Sequence, residues 1–344
     1  MNTSREEKLI LNCLAISRNN IISSALAAPG EAINWDYVII LSKRHGISPL
    51  LYSSLSKSLF LECIPGEIFR VLKDSYFSNL YRNTALWKEF GGISDLAKSA
   101  EVEFVPFKGF ILAHLLYRDI GLRVLADMDI MVKQCDLPKI KAILSNRGYH
   151  ETVEVNGYLF GKSISPGLFS YIELHLSFVP PRPNVIEIPH LWQRLRTELI
   201  NGEKIDCLSH EDTFLALILH IRRHTRVLML KFVYDIAKFL SMRVSSLDWW
   251  YIDNLVEKNH IKNCVYFSMY ISKELLDIFI PEDIINKFSP NPLIKNMMHF
   301  CFNKRRFLKP GFWKGYILRI LLFDRGIDLF MYMCQTIAGR RSFK

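Results

Sequence analysis

The sequence predicts an α+β chain, a small β core held between two helical regions. Three observations predict it. Apolar residues recur at helical spacing before residue 97 and again after residue 208. Between 98 and 180 short apolar runs rich in β-branched and aromatic residues alternate with turn residues and short helical stretches. A proline-rich stretch, Pro180 to Pro189, then interrupts the pattern. The expected organisation is a helical region over 1–97, a core over 98–180, a linker or lid over 181–207 and a helical domain over 208–344.

Taken in order, Leu9, Leu11, Leu14 and Ile16 begin the first helix, and Trp35 to Leu41 begin another. The second has Asn34 as N-cap and Gly46 at its end. Ser48-Pro49 starts a further helix, and Phe69 to Leu96 reads as one or two long amphipathic ones. At Glu103–Phe107 the period shortens to that of a strand, with Pro106 pointing to a sheet edge. Lys108-Gly109 is a turn, Phe110 to Tyr117 has helical spacing, and residues 124–132 form the next strand. Asp136 caps a helix from Leu137 to Asn146, with Pro138 in its first turn and Gly148 after it. Thr152–Phe160 and Leu168–Phe178 read as two more strands, joined by a loop over Gly161–Gly167. Ser209-His210-Glu211-Asp212 has the form of a capping box and reopens the helical grammar. Asp248-Trp249 opens a later helix in the same way as Asn34-Trp35.

Half of the 344 residues are hydrophobic and 12% are aromatic, enough for a large core. The seven cysteines are scattered with no Cys-x-x-Cys, which argues against a disulfide frame or zinc ribbon and for a reducing, cytosolic setting. No secretory leader is legible at the start. No uncharged apolar run reaches the roughly 18 residues of a membrane span. The nearest candidate, Tyr316 to Met333, is broken by Arg319, Asp324, Arg325 and Asp328. The net charge of +10 is weighted toward the C-terminus, at Lys304-Arg305-Arg306, Lys309, Lys314, Arg319, Arg340-Arg341 and Lys344. That weighting fits a solvated basic tail, or contact with RNA or another polyanion.

The chemistry centres on Asp127-Met128-Asp129, set inside the apolar run Val124-Leu125 to Ile130-Met131-Val132. Carboxylates in such a run are costly to bury unless paired. In a strand, residues i and i+2 share a face, so Asp127 and Asp129 would project together while Met128 and Ile130 pack behind. Adjacent anionic oxygens suit Mg²⁺. Tyr171-Ile172-Glu173-Leu174-His175 places Glu173 and His175 on one strand face and Ile172 and Leu174 on the other. Asp127, Asp129 and Glu173 together can hold two Mg²⁺ ions, one on nucleotide phosphates and one on an acceptor hydroxyl, with Glu173 also able to act as general base. The plain alternative is a set of sheet-edge charges.

Around the acids, Lys108-Gly109 can admit a phosphate to backbone N–H groups, with Lys108 as a point charge, or can be an ordinary turn. Arg123 fits a phosphate contact, a partner for the carboxylates or a plain salt bridge. His220 and His224 share one helix face, but Ile221 stands where zinc peptidases place a glutamate, so they are nucleotide or acceptor contacts or core histidines. Arg222, Arg223 and Arg226 flank them, and Lys231 with Asp235 reads as a structural i,i+4 pair. No Gly-x-Gly-x-x-Gly, Walker phosphate loop or Gly-x-Ser-x-Gly occurs, and Gly161-Lys162-Ser163 lacks the earlier glycine of a phosphate loop.

These motifs carry a resemblance. Lys108-Gly109, Leu116 to Arg123, Asp127-Met128-Asp129-Ile130-Met131-Val132 and Ile172-Glu173-Leu174-His175 resemble the uncharacterised nucleotidyltransferase family of the DNA polymerase beta-like superfamily. The likeness extends to His45-Gly46-Ile47-Ser48-Pro49-Leu50, Ser209 to Asp212, His220 with His224, and Tyr234-Asp235-Ile236-Ala237, over roughly residues 30–280. It implies a mixed sheet backed by helices, flanked by N- and C-terminal helical regions. It also implies an NTP substrate with Mg²⁺, with Asp127 and Asp129 as metal ligands and Glu173 as the third acid. The superfamily often carries Gly-Ser or Gly-Gly where this chain has Lys108-Gly109, so its grip on phosphate is expected to differ. The resulting expectation is a cytosolic Mg²⁺-dependent nucleotidyltransferase, moving an NMP to a hydroxyl on a small molecule, sugar, peptide, protein or RNA. Its rival is a catalytically silent binding or regulatory module, as in a toxin–antitoxin pair or a biosynthetic complex.

Overall fold

The structure is a computed structural model that describes residues 4–16, 32–58, 61–154, 157–178, 188, 190–225, 228–302 and 312–341. Lys304-Arg305-Arg306, Lys309, Arg226 and most of the proline-rich stretch lie outside the described residues. Among the described residues no helix is long and apolar enough to cross a membrane. The chain divides into two compact units. The first comprises residues 1–79, 121–124 and 217–324, and the second 80–120, 125–216 and 325–344.

The first unit is helical. Helix α1 (Arg5–Leu14) opens on a capping box, Ser4 with Glu7. Asn34 caps α2 (Trp35–His45) through its side-chain oxygen on the Tyr37 N–H at 3.0 Å, and Gly46 ends it at φ +65°, the left-handed turn that glycine adopts without strain. Pro49 sits in the first turn of α3 (Ser48–Leu55), where its missing N–H costs nothing. Helix α4 (Gly66–Ser99) is continuous and crosses the division between the units. Further along the chain, the core elements of the first unit are α8 (Leu230–Arg243), α9 (Trp249–Asn259), which Asp248 caps as Asn34 caps α2, and α10 (Lys262–Leu276). Helix α1 packs on α2, α3 and α10, and α8 packs on α10. Leu41, Ile47, Val233, Ile236, Phe267 and Ile271 are among the buried residues of this unit.

The second unit carries a five-stranded mixed sheet in the order β1-β2-β5-β4-β3. Strand β1 (Phe104–Phe107) is an edge, as Pro106 predicts, and runs antiparallel to β2 (Met128–Val132). β2 runs parallel to β5 (Leu168–His175), and β4 (Gly157–Ser165) joins β5 to the far edge β3 (His150–Glu154) by antiparallel pairing. Helix α5 (Gly109–Leu115) follows β1 and packs on β1 and β2, while α6 (Leu137–Asn146) leads from β2 to β3. Every residue of β2 is buried, and Ile172 and Leu174 of β5 are buried beside it.

The sequence reading of this sheet is corrected in three places. The strand expected over 124–132 begins only at Met128. Upstream of it the backbone carbonyls are taken by side chains, Arg123 and Val124 among them: Asn79 donates to the Arg123 carbonyl and Lys231 to the Val124 carbonyl, while Arg82 donates to the carbonyl of Ala126. The strand expected over Thr152–Phe160 is instead two, β3 and β4, turning back between residues 154 and 157. The loop expected over Gly161–Gly167 is strand as far as Ser165, and Pro166-Gly167 then makes the turn with Gly167 at φ +76°. Gly161 faces Tyr171 across the ladder, where an added Cβ would lie 3.2 Å from the tyrosine ring. The glycine therefore marks a close approach, not a loop.

The 181–207 stretch also holds more than a linker. A hairpin of β6 (Arg196–Ile200) and β7 (Glu203–Cys207) occupies its second half. Ser209 accepts from the Asp212 N–H at 3.0 Å at the start of α7 (His210–His224).

Candidate active site

The parallel pairing of β2 with β5 builds the site. Its register sets Asp129 beside Glu173, and Met131 beside His175. Partners in register share a face, so both acids and the imidazole project to one side while Met128, Ile130, Ile172 and Leu174 pack on the other. On the edge strand Phe107 pairs with Asp129, so its ring joins the same face. The His175 ring stands edge-on to Phe107 with centroids 5.0 Å apart, and Phe178 stacks against Phe107 at 6.0 Å. These aromatics wall the polar groups off from water, and Asp129, Glu173 and His175 are all buried.

Burying two carboxylates side by side is unfavourable without cations or donors. The chain supplies them. Lys108 follows β1 with φ 55° and ψ −141°, a conformation that non-glycine residues rarely adopt, and its side chain lies only 5% exposed. Its ammonium donates to Asp129 Oδ1 at 2.7 Å, lies 3.4 Å from His175 Nε2 and stands 4.6 Å from the centre of the Phe107 ring. His175 Nε2 lies 2.7 Å from the same Asp129 oxygen and 3.5 Å from Glu173 Oε2. Gly109 opens α5 directly after Lys108.

The ligand-capable atoms of Asp129, Glu173 and His175 all lie within 4.8 Å of one another. Two carboxylates and an imidazole are a fitting donor set for a divalent cation, bonded at roughly 2.0–2.5 Å by oxygen and nitrogen. Asp127 is not one of that cluster. It sits half-buried one residue before β2, in the field of the Arg82 guanidinium. The same-face rule that pairs Asp127 with Asp129 holds only within a strand, and the ladder starts at Met128.

The remaining predicted contacts lie in the first unit. Arg123 is buried, its Nε 2.8 Å from Asp235 Oδ1 and its Nη2 2.6 Å from Asp235 Oδ2. Asp235 is therefore a partner of Arg123, and the Lys231 amine lies 3.4 Å from the Val124 carbonyl. His220 and His224 lie half-buried on α7 with ring centroids 4.4 Å apart, both against Phe232.

Sequence reasoning set Glu173 and His175 on one face but gave only the glutamate a role. It placed Lys108 on phosphate, not on an acid. The signal for both was the Lys-Gly turn one residue past the strand that pairs with Asp129. Reading it needed the register, which spacing does not give.

The uncharacterised nucleotidyltransferase family matches this chain over residues 31–277. No curated protein matches it. Among solved structures it is similar to the antibiotic-resistance factor ANT(2'')-Ia in solution, at 15% identity and a TM-score of 0.37, covering 57% of this chain and 96% of that one. The crystal structure of ANT(2'')-Ia with adenylyl-2''-tobramycin matches at 15% identity and a TM-score of 0.35, covering 50% and 94%. An antigenic nucleotidyltransferase-like protein from Paracoccidioides brasiliensis matches at 16% identity and a TM-score of 0.33, covering 61% and 97%.

Proposed function

The chain belongs to the uncharacterised nucleotidyltransferase family, and on that premise we propose that it moves an NMP from an NTP to a hydroxyl acceptor with release of pyrophosphate. The single observation that carries the proposal is the register of two buried acids, Asp129 and Glu173, side by side on adjacent parallel strands. Asp129 and Glu173, with His175 beside them and Asp127 at the mouth of β2, would hold a divalent cation such as Mg²⁺. Bound there, the cation supplies neutralisation of phosphate charge and a lowered pKa for the acceptor hydroxyl.

The chain's own groups do the rest. Glu173 accepts the acceptor's proton as general base. Lys108, with Gly109 next to it, meets the phosphates as a point charge. Phe107 and Phe178 keep the acids dry, which strengthens every charge interaction among them. Arg123 holds the Gly121–Val124 segment to α8 through Asp235, and His220 and His224 pack against Phe232; we assign these three to structure ahead of nucleotide contact. The catalytic core is the 98–180 segment, and the scattered cysteines of the whole chain support a cytosolic setting. The acceptor class, whether small molecule, sugar, peptide, protein or RNA, is for experiment.

One observation favours the rival reading of a catalytically silent module: the Lys108 ammonium already neutralises Asp129. Incubation with each α-³²P-labelled NTP, divalent cation and host lysate separates the two. The enzyme yields a labelled acceptor that Asp129→Asn and Glu173→Gln both fail to produce. A silent module yields no labelled species with any nucleotide, and that outcome would end the catalytic proposal.

A further inference from the structure

Resting on the metal reading above, we propose that Lys108 competes with the divalent cation for Asp129, so that the site binds metal only as the Lys108 ammonium leaves. The ammonium is within hydrogen-bond distance of Asp129 Oδ1, at 2.7 Å, and 3.4 Å from His175 Nε2. Those two atoms, 2.7 Å apart, are also two of the three proposed ligands. A cation bonded to both at roughly 2.0–2.2 Å from the side that Lys108 occupies would fall inside the space the ammonium fills. Two cations of like charge cannot share one carboxylate oxygen at that range in a buried, aromatic-walled site without strong repulsion.

Two further features mark the arrangement as built. Lys108 is itself nine-tenths buried, so its amine is aimed inward and not into solvent. Its backbone is held at φ 55°, a conformation that persists only where surrounding structure imposes it. The consequence is a site whose acids are neutralised before metal arrives. Incoming phosphate offers the displaced amine a new anionic partner, so nucleotide and metal reinforce each other's binding. The two carboxylates suit Mn²⁺, which serves as the probe.

The test uses the full chain without nucleotide. Mn²⁺ is titrated while its free form is followed by electron paramagnetic resonance, in wild type and in Lys108→Met. The variant is expected to bind Mn²⁺ at least tenfold more tightly, and Lys108→Arg, which keeps the charge, to bind no better than wild type. A second measurement needs no variant. Acetylation of the Lys108 amine in wild type, mapped by mass spectrometry, is expected to rise severalfold at saturating Mn²⁺. Equal or weaker Mn²⁺ binding by Lys108→Met, or unchanged acetylation with Mn²⁺ bound, overturns the competition and leaves the metal site standing. Failure of both wild type and Lys108→Met to bind Mn²⁺ overturns the competition and the metal reading together.

Discussion

Removing the Asp235 carboxylate tests how the second buried ion pair is used. Arg123 is 4% exposed and Asp235 2%, and the guanidinium gives the carboxylate close bonds through Nε and Nη2. Asp235→Ala strands a guanidinium in the interior, where the unpaired charge costs about 3–5 kcal/mol. With a urea slope of roughly 2–3 kcal/mol/M, the unfolding midpoint should fall by about 1–2.5 M. The double replacement Arg123→Met with Asp235→Leu removes both charges and keeps most of the volume, so it should return to within about 1 kcal/mol of wild type. Urea unfolding of wild type, Arg123→Met, Asp235→Leu and the double variant closes the cycle, and the coupling should exceed about 2 kcal/mol. The same double variant weighs the two roles open to Arg123. If its work is structural, the folded double variant keeps the wild-type KM for NTP. If Arg123 grips phosphate, KM rises tenfold or more. A single-variant cost below about 1 kcal/mol would refute the reasoning, because it would mean the guanidinium reaches water once its partner is gone.

Other outcomes are expected from the same structure. Asp129→Asn and Glu173→Gln should each cut NMP transfer by about 10³-fold or more, with circular dichroism melts still cooperative; Asp127→Asn, lying outside the buried cluster, should lose less, about 10²-fold, and wild-type turnover in Asp129→Asn would remove the site. Burial pushes the His114 imidazole down to about 4, beside the Trp87 ring. Its unfolded value is higher, so the unfolded chain binds more protons between about pH 4 and 6.5; its share of stability is whole above 6.5 and fades as pH falls toward 4, by on the order of 2 kcal/mol after discounting for its partly wet ring. His114→Phe should flatten that part of the stability-versus-pH curve, and an unchanged slope would count against it. Gly46→Ala should cost about 1–2 kcal/mol in thermal unfolding, since φ +65° is unfavourable for alanine and its Cβ would meet Lys231 Cδ at 2.8 Å. Gly91→Ala, inside α4 with only Glu203 Oε1 at 4.0 Å, should instead stabilise by about 0.5–1 kcal/mol.

What the sequence discloses follows the range of the interactions involved. Caps are local: Asn34 and Asp248 each bond the N–H three residues on, and both were readable as residue types at a helix start. The edge position of β1 was readable because Pro106 cannot donate to a ladder. Period-2 alternation placed Glu173 and His175 on one face without any knowledge of neighbours. Register is another matter. Nothing within residues 123–127 announces that the carbonyls of Arg123, Val124 and Ala126 are claimed by Asn79, Lys231 and Arg82, which lie tens to a hundred residues away. The strand therefore reads four residues too long, and Asp127 reads as an equal partner of Asp129.

The same distinction explains why the partners that Lys108 and Asp235 take in the fold are not legible from spacing. A charge in an apolar setting must find an opposite charge or a donor, so sequence can say that a residue is committed. Which partner it takes is decided by elements that meet only in the fold. Asp235 has a cation four residues away on its own helix, at Lys231, and the buried guanidinium of Arg123, far away in the chain, reaches it through two directed N–H groups. Lys108 had no acid nearby in the chain, and pairing of β1 with β2 delivers Asp129 to it at 2.7 Å. Both cases rest on one physical preference: in a dry interior a charge pair forms strongly however far apart its members lie in sequence. For the acid site this means that the affinity for a divalent cation is set by what the cation must displace as much as by the ligands it gains.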